Sequence, residues 1–96
     1  MNKKIATAGN AGPKVRSDCE IKLELKEKGG IVIDLISKVK TLYGESITNL
    51  CREVLNFYKV RNAVLKINDS GALPFVISAR LEAAIKMLYG SSNVSK

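Results

Sequence analysis

Ser17 is the residue of this chain with the clearest opportunity for chemistry, because its hydroxyl stands where a glycine-containing segment meets the first regular pattern. A serine that accepts a covalent group needs exposure and a deformable backbone that a modifying enzyme can enclose. Residues 12–13, a glycine and a proline, would supply both. Lys14 and Arg16 would then offer cations beside a phosphodiester. A plainer interpretation is that Ser17 and Asp18 only begin a strand after a loop, and the pattern alone favours it.

Several other kinds of chemistry have no candidate residues in this sequence. The chain contains no histidine, which removes histidine-activated nucleophiles, histidine proton transfer and histidine metal sites. No glycine-rich phosphate-binding motif is present, and the carboxylates lie mostly opposite lysines, as on a solvated surface. The two cysteines form neither a disulfide framework nor a metal motif, and Cys51 has the spacing of a small buried residue on a helix. The sequence therefore predicts no catalytic activity and no metal site.

Length and charge limit the classes of protein to which this chain can belong. The chain has 96 residues, 46% hydrophobic and 26% charged, which is enough for one globular domain with a modest core. Its formal net charge is +7, but no run of five basic residues occurs, so the charge suits acidic proteins and nucleic acid equally. No signal peptide is evident, and no apolar run approaches the roughly 18 residues of a membrane span. We therefore expect a cytoplasmic protein with no membrane association.

Alternating apolar and polar residues predict three strands. Residues 1–17 show no sustained periodicity and are expected to form a flexible leader or loop. Alternation begins after Cys19, and a second alternating run follows the glycine pair at 29–30, so the two runs predict a β-hairpin. A third alternating run covers residues 63–68 and leads into the strong turn signal Asn68-Asp69-Ser70-Gly71.

Helical spacing predicts two helices after the first two strands. Apolar residues recur with helical spacing over about 45–58, after a short helical turn that ends at Gly44. Pro74 suits the first turn of the second helix, and Gly90 suits the position just after its end. The predicted buried stripe of that helix is Ile77, Leu81, Ala84, Ile85 and Leu88.

The predicted order is β-β-α-β-α. This is an α+β fold with two layers, in which a three-stranded sheet carries both helices on one face. Residues 18–90 form the domain, residues 1–17 precede it, and residues 91–96 form a disordered tail. The pattern leaves the order of the strands in the sheet open.

Residues 7–90 resemble the acyl carrier (gamma) subunit of citrate lyase. No single motif is specific, but the motifs occur in the family's order and spacing. The most specific stretch runs from Asn68 to Leu73 and into Ala79-Arg80-Leu81-Glu82-Ala83. The other matching features are Ala11-Gly12 ahead of Ser17-Asp18, the alternating strand from Ile21, Leu42-Tyr43-Gly44 before the first helix, and Tyr58-Lys59-Val60-Arg61 after it.

The resemblance implies a non-catalytic carrier that takes part in citrate fermentation and is a phosphoprotein through its prosthetic group. It implies 2′-(5″-phosphoribosyl)-3′-dephospho-coenzyme A held covalently on a serine, with acetyl and citryl groups carried as thioesters while citrate is cleaved to acetate and oxaloacetate. The implied partners are the alpha and beta subunits of citrate lyase and a prosthetic-group transferase. Tethering makes each delivery between active sites intramolecular, which raises the effective concentration of the thioester.

The resemblance also suggests the attachment residue. Many family members have Glu-Ser-Ser-Asp or Glu-Ser-Gly-Asp, with the modified serine two residues before the aspartate. Here Arg16 stands at that position, and Ser17 is the only nearby hydroxyl. Ser37 and Ser46 are poorer candidates because predicted strand or helix flanks them. The predicted cofactor-binding residues are therefore Ser17 for covalent attachment, with Lys14, Arg16 and Asp18 flanking it.

Alternatives remain open at the level of sequence. A citramalate-cleaving relative would use the same carrier, and the malonate decarboxylase carrier matches the general plan. A small basic nucleic-acid-binding α+β module is the second class, although the strands lack the aromatic pairs that stack bases. A structural subunit whose serine is never modified is the third. The exposed charges expected to dock partners are Lys38, Lys40, Arg52, Lys59 and Arg61.

Overall fold

Six elements follow one another in the computed structural model, which describes residues 5–37 and 40–89, with residues 40–43 described by their backbone alone. The sheet has four strands in the order β1-β2-β4-β3. No helix in these two ranges is long and apolar enough to cross a membrane. The elements are β1 (Ile5–Gly9), β2 (Asp18–Leu25), β3 (Ile31–Ser37), α1 (Lys40–Phe57), β4 (Ala63–Ser70) and α2 (Pro74–Tyr89).

The fourth strand corrects the prediction of a three-stranded sheet. Strand β1 lies within residues 1–17, which were expected to form a leader or loop, and it pairs antiparallel with β2. Its inward residues are Ala6 and Ala8, which are buried where α2 packs against β1 and β2. Small side chains suit that close packing, but they give the sequence no apolar alternation of the kind that Ile, Leu and Val provide. The strand was therefore missed.

The predicted hairpin between the first two predicted strands, which are β2 and β3 of the structure, is wrong, because β4 lies between them. Strand β4 pairs antiparallel with β2 and parallel with β3, and α1 makes the crossover that a parallel pair requires. Residues 26–30 pass the start of β4, where Lys26 N–H donates to the Asn62 carbonyl and Ala63 N–H donates to the Gly30 carbonyl, both at 3.0 Å. Alternation shows which side chains face the core, but it does not show which strand is the neighbour.

The first helix is longer than the pattern indicates. It begins at Lys40 and runs through Gly44, where a break was predicted. An interior glycine costs a helix only about 1 kcal/mol, which packing can offset. The helix ends in a Schellman motif, in which Val60 N–H donates to the Leu55 carbonyl at 2.9 Å and Lys59 occupies the left-handed position with φ of 62°.

The core lies between the sheet and the helices, on one face of the sheet. The buried strand residues lie on one face of the sheet, where α2 packs against β1 and β2, α1 packs against β3, and the two helices contact each other. The prediction that both helices share one face is therefore confirmed. Cys51 is fully buried, as predicted. Of the predicted stripe of α2, four residues are buried and Leu88 is partly buried: Ile77, Leu81, Ala84 and Ile85 are the buried four.

Two predictions concern the ends of elements. Strand β4 continues to Ser70, so the turn predicted over 68–71 begins later, at Gly71, which has φ of 84°. Gly90 and the tail over 91–96 lie outside the described residues. The start of α2 at Pro74 is confirmed.

Candidate functional site

The loop from Asn10 to Ser17 connects β1 to β2 and carries the candidate serine. Its two ends are joined by a backbone hydrogen bond, in which Asn10 N–H donates to the Cys19 carbonyl at 3.0 Å. A turn in the middle of the loop is closed by Val15 N–H donating to the Gly12 carbonyl at 3.2 Å. Ser17 is the last residue of the loop, so it lies directly before β2 and not in the middle of the loop.

Ser17 has a fixed backbone and a free hydroxyl. Its N–H donates to the Ser70 carbonyl of β4 at 2.8 Å, and its φ of 57° is in the left-handed region. That conformation costs a residue with a side chain on the order of 1 kcal/mol, so surrounding contacts must hold it. The side chain is exposed, and its Oγ makes no hydrogen bond within residues 5–37 and 40–89. The backbone is thus more constrained than the deformable one expected from the sequence.

Asp18 is the best-anchored side chain of the site. Arg80 of α2 approaches it with a two-pronged contact, in which Nε donates to Oδ1 at 3.0 Å and Nη2 donates to Oδ2 at 2.9 Å. Asn10 Nδ2 donates to Oδ2 at 2.9 Å from the other end of the loop, and the N–H of Cys19 donates to Oδ1 at 2.7 Å. A planar guanidinium on a carboxylate fixes orientation as well as position.

These hydrogen bonds favour the ionised form of the Asp18 carboxyl. The Arg80 hydrogen bonds, and then the Asn10 hydrogen bond, lower the pKa of Asp18 from 3.8 to about 2. The same contact raises the pKa of Arg80 above its usual value. The Asp18 side chain is 14% exposed and that of Arg80 is 39% exposed, so solvent partly screens the pair. Asp18 therefore anchors the loop as a carboxylate at neutral pH.

Gly9 lets the arginine reach Asp18. A Cβ on this residue would lie 2.0 Å from the Cys19 carbonyl oxygen and 3.2 Å from Cδ of Arg80, and its φ is 91°. The stem of Arg80 therefore passes over a position where no side chain fits. We call Gly9, Asn10, Asp18 and Arg80 the loop anchor.

The end of β4 forms the floor beside Ser17. Asp69 is 2% exposed, and its carboxylate accepts hydrogen bonds from Ser37 Oγ at 2.8 Å and from the Ala72 N–H at 2.9 Å. A mostly apolar cavity of about 560 Å³ opens on the helix side of this strand end, and its lining includes Ile47, Leu50, Gly71 and Ile77. A shallower groove of about 340 Å³ lies under the loop at Gly12 and Pro13.

The other predicted residues are distributed as follows. Lys14 and Arg16 are exposed on the same loop as Ser17, and neither contacts Asp18. Ser37 is engaged with Asp69, and Ser46 lies on α1 at the rim of the larger cavity. Of the expected docking charges, three are exposed, namely Arg52, Lys59 and Arg61, while Lys38 and the side chain of Lys40 lie outside the described part of the chain.

Asn10 and Arg80 were missed as site residues. Arg80 lies within the Ala79–Ala83 motif, but its partner Asp18 is 62 positions away, and no local pattern joins residues so far apart. Asn10 lies 8 positions from Asp18, across a loop with no periodicity. Only the pairing of β1 with β2 and the packing of α2 over them bring the three together.

The thiols are not nucleophiles in this fold. Burial raises the pKa of Cys19 to about 11 and that of Cys51 to about 12, so both stay protonated at neutral pH. Among the described residues there is no group of three or more histidine, cysteine, aspartate or glutamate side chains that could hold a metal ion. The exposed hydroxyl of Ser17 remains the candidate for chemistry at this site.

The chain is similar in fold to part of a solved structure, a homoserine kinase from Cytophaga hutchinsonii. The TM-score is 0.53 with 13% sequence identity, and the match covers 91% of this chain and 34% of that one. At that identity the likeness concerns the fold alone. This chain spans about a third of the kinase.

The sequence comparisons are closer. A citrate lyase acyl carrier protein of Clostridium perfringens is 41% identical over 78% of this chain and 74% of its own length. Those of Vibrio cholerae and Lactobacillus helveticus are 35% and 43% identical, covering 95% and 79% of this chain and 93% and 77% of their own lengths. A family model described as malonate decarboxylase delta subunit matches residues 3–88. The chain therefore belongs to the acyl carrier protein family that this model describes and that contains the citrate lyase acyl carrier proteins.

Proposed function

We propose that this chain is the acyl carrier subunit of a citrate lyase and that Ser17 carries its prosthetic group. The single observation that supports this most directly is the hydroxyl of Ser17, which is exposed and makes no hydrogen bond to the described part of the chain, on a backbone held by Ser70 and by the anchored Asp18. A carrier needs an acceptor that an enzyme can reach, on a mount that does not move with its load. Ser17 meets both needs.

The residues around Ser17 fit a phosphodiester-linked group such as 2′-(5″-phosphoribosyl)-3′-dephospho-coenzyme A. Lys14 and Arg16 are exposed cations on the same loop, and cations favour a phosphate beside them. Asp18 does not repel it as an uncompensated charge, because Arg80 pairs with its carboxylate. When attached, the group would supply a thiol that holds an acyl group as a thioester, while the domain supplies the mount.

The remainder of the proposal concerns partners and location. Alpha and beta subunits of citrate lyase would bind the carrier in turn, and a transferase would load Ser17, all in the cytoplasm. The carrier itself would have no catalytic role, which is consistent with buried, protonated thiols and a sequence without histidine. A nucleic-acid-binding role gains no support, since none of the four strands carries an aromatic residue that could stack a base.

Intact mass analysis tests the assignment. The chain is co-expressed with a prosthetic-group transferase, and the tryptic peptide that holds Ser17 is expected to gain the mass of the phosphoribosyl-dephospho-coenzyme A group. Ser17→Ala should abolish the gain completely, because no other residue of the loop over 10–17 carries a hydroxyl. Ser46→Ala, which removes an exposed serine of α1, is the matched control and should be modified like the wild type.

Two results would contradict the proposal in different ways. If the wild-type chain gains no adduct with an active transferase, the carrier function is wrong. If Ser17→Ala still gains the adduct, the carrier function stands and the attachment residue is wrong.

A further inference from the structure

Asp18 connects the loop to the helix layer through one residue. Of its four hydrogen bonds, the two from Arg80 come from α2, whereas those from Asn10 and Cys19 come from the loop and from β2. Removing Arg80 would leave the carboxylate bonded only to groups beside it in the same hairpin. The hairpin would keep its apolar packing against α2 but would lose these two hydrogen bonds to the helix layer.

Ser17 is held between two fixed points. Its own N–H is bonded to the Ser70 carbonyl, and the next residue is Asp18. With both points fixed, rotation about χ1 is the main freedom left to the hydroxyl, which can sample only the three staggered positions. Without the Arg80 contact, Asp18 keeps its pairing with β4 and its hydrogen bond from Asn10, but it loses the two hydrogen bonds that tie it to α2. The hydroxyl would then be spread over a wider volume.

We infer that Arg80 is a positioning residue for the covalent attachment of the prosthetic group. Its bidentate contact fixes Asp18, and Asp18 in turn holds the neighbouring Ser17 so that the transferase meets its hydroxyl in one position. This inference rests on the proposed role of Ser17. Arg80 is not itself at the reacting atoms, and its effect passes through Asp18. The absence of a side chain at Gly9, over which the arginine stem lies, shows that the path of this contact is built into the fold.

The inference predicts a split between turnover and binding. In the transfer, Ser17 Oγ would form a bond to a phosphorus of the donor while the bond from that phosphorus to its leaving phosphate breaks, and the hydroxyl proton would pass to a base of the transferase. The transferase must therefore align one hydroxyl with its donor, and a misplacement of about 1 Å can cost up to about a hundredfold in rate. Arg80→Gln should therefore lower the kcat of attachment by about tenfold, with KM for the carrier within about twofold of wild type. Arg80→Lys keeps the charge but cannot form the fork, so we expect it to stay impaired.

The experiment measures attachment rates by mass spectrometry at several carrier concentrations, with circular dichroism to confirm that each variant is folded. Lys86→Gln removes one exposed charge from the same helix and is the matched control, expected to behave like wild type. Hydrogen exchange at the Ser17 amide gives a readout that does not depend on the transferase. Its protection should fall in Arg80→Gln, while the amides of β2 bonded to β4 keep theirs.

Each outcome decides something. Wild-type kcat in folded Arg80→Gln, or full recovery in Arg80→Lys, overturns the positioning role while the proposed function stands. Failure of the wild-type chain to be modified overturns the proposed function instead. If Arg80→Gln does not fold, Asn10→Ala replaces it, because Asn10 is exposed and contributes one hydrogen bond to the same carboxylate. Asn10→Ala should then lower kcat by a few-fold, and an unchanged kcat with unchanged Ser17 protection overturns the inference.

Discussion

The loops on either side of β2 are held by different chemistry. The loop before β2 is fastened by the charged pair of Asp18 and Arg80, which ties it to α2. The loop after β2, residues 26–30, is fastened by the neutral amide of Asn62, which accepts from the Gly30 N–H at 2.9 Å and donates to the Glu27 carbonyl at 3.4 Å. Both loops are exposed and both contain glycines with positive φ.

The difference shows what each loop needs. The amide of Asn62 bonds to backbone groups of the loop only, so it closes the connection without itself holding a loop side chain. The bidentate contact of Arg80 fixes the carboxylate of Asp18, which is next to Ser17, the proposed attachment residue. The stabilisation from a charged bidentate contact is less constant than that from a neutral amide, because it depends on pH and on solvent screening. The comparison predicts that damage to the two loops will differ in size, in pH dependence and in effect on Ser17.

The largest difference is expected between alanine substitutions at Gly9 and Gly29. Both glycines have positive φ, of 91° and 106°, so both variants pay a similar conformational cost of about 1–2 kcal/mol. Only at Gly9 does a Cβ collide with backbone, at 2.0 Å from the Cys19 carbonyl oxygen, and nothing lies within 4 Å of one at Gly29. Gly9→Ala should therefore lose about 3 kcal/mol or more in the free energy of unfolding by urea denaturation. Equal losses in the two variants would contradict the tight packing at Gly9.

The next effect is the acid dependence of the Asp18 contact. Because the folded pKa of Asp18 is lowered to about 2 from 3.8, its contribution to stability is complete above about pH 4 and is lost as pH falls towards 2. Solvent screening reduces that contribution to about 1–2 kcal/mol. The difference in unfolding free energy between wild type and Asp18→Asn should therefore shrink between pH 4 and pH 2. A constant difference over that range would show that the carboxylate is not anchored by charge.

The smallest effect is expected at the neutral loop. Asn62→Ala removes hydrogen bonds to exposed backbone groups that water can replace, so it should cost about 1 kcal/mol. The loss should be the same at pH 7 and at pH 3, and attachment at Ser17 should be unchanged. Asn68→Ala, which removes an exposed amide of β4, is the control and should cost less. A loss that varies with pH would remove the contrast between the two loops.

Much of the fold was predictable because long apolar side chains mark their own positions. The second helix, the three longer strands and the burial of Cys51 follow from the spacing of Ile, Leu and Val. Strand β1 did not follow, because Ala6 and Ala8 bury little surface and give no clear period. The strand order did not follow either, since the position of β4 between β2 and β3 is set by the α1 crossover and not by alternation.

The candidate site divides in the same way. Ser17 could be proposed because a hydroxyl beside glycine, proline and basic residues is visible in the sequence. The loop anchor could not be predicted, because an arginine on one helix and an aspartate 62 positions earlier share no local pattern. Asp18 was predicted to begin a strand, which it does, and to flank the attachment site, but its role as an anchor is visible only in its contacts. A single sequence does not show which distant side chains are paired in the fold.

The central position of β4 affects the order in which the site forms as the chain is synthesised and folds. Ser17 is made early in synthesis, but the carbonyl that accepts from its N–H belongs to Ser70, and the guanidinium that holds the next residue, Asp18, belongs to Arg80. Pairing between such distant residues forms late in folding, because the intervening chain must close first. A nascent or truncated chain therefore displays the serine without its supports. If attachment needs those supports, only finished carriers are loaded, and the prosthetic group becomes a mark of completed folding.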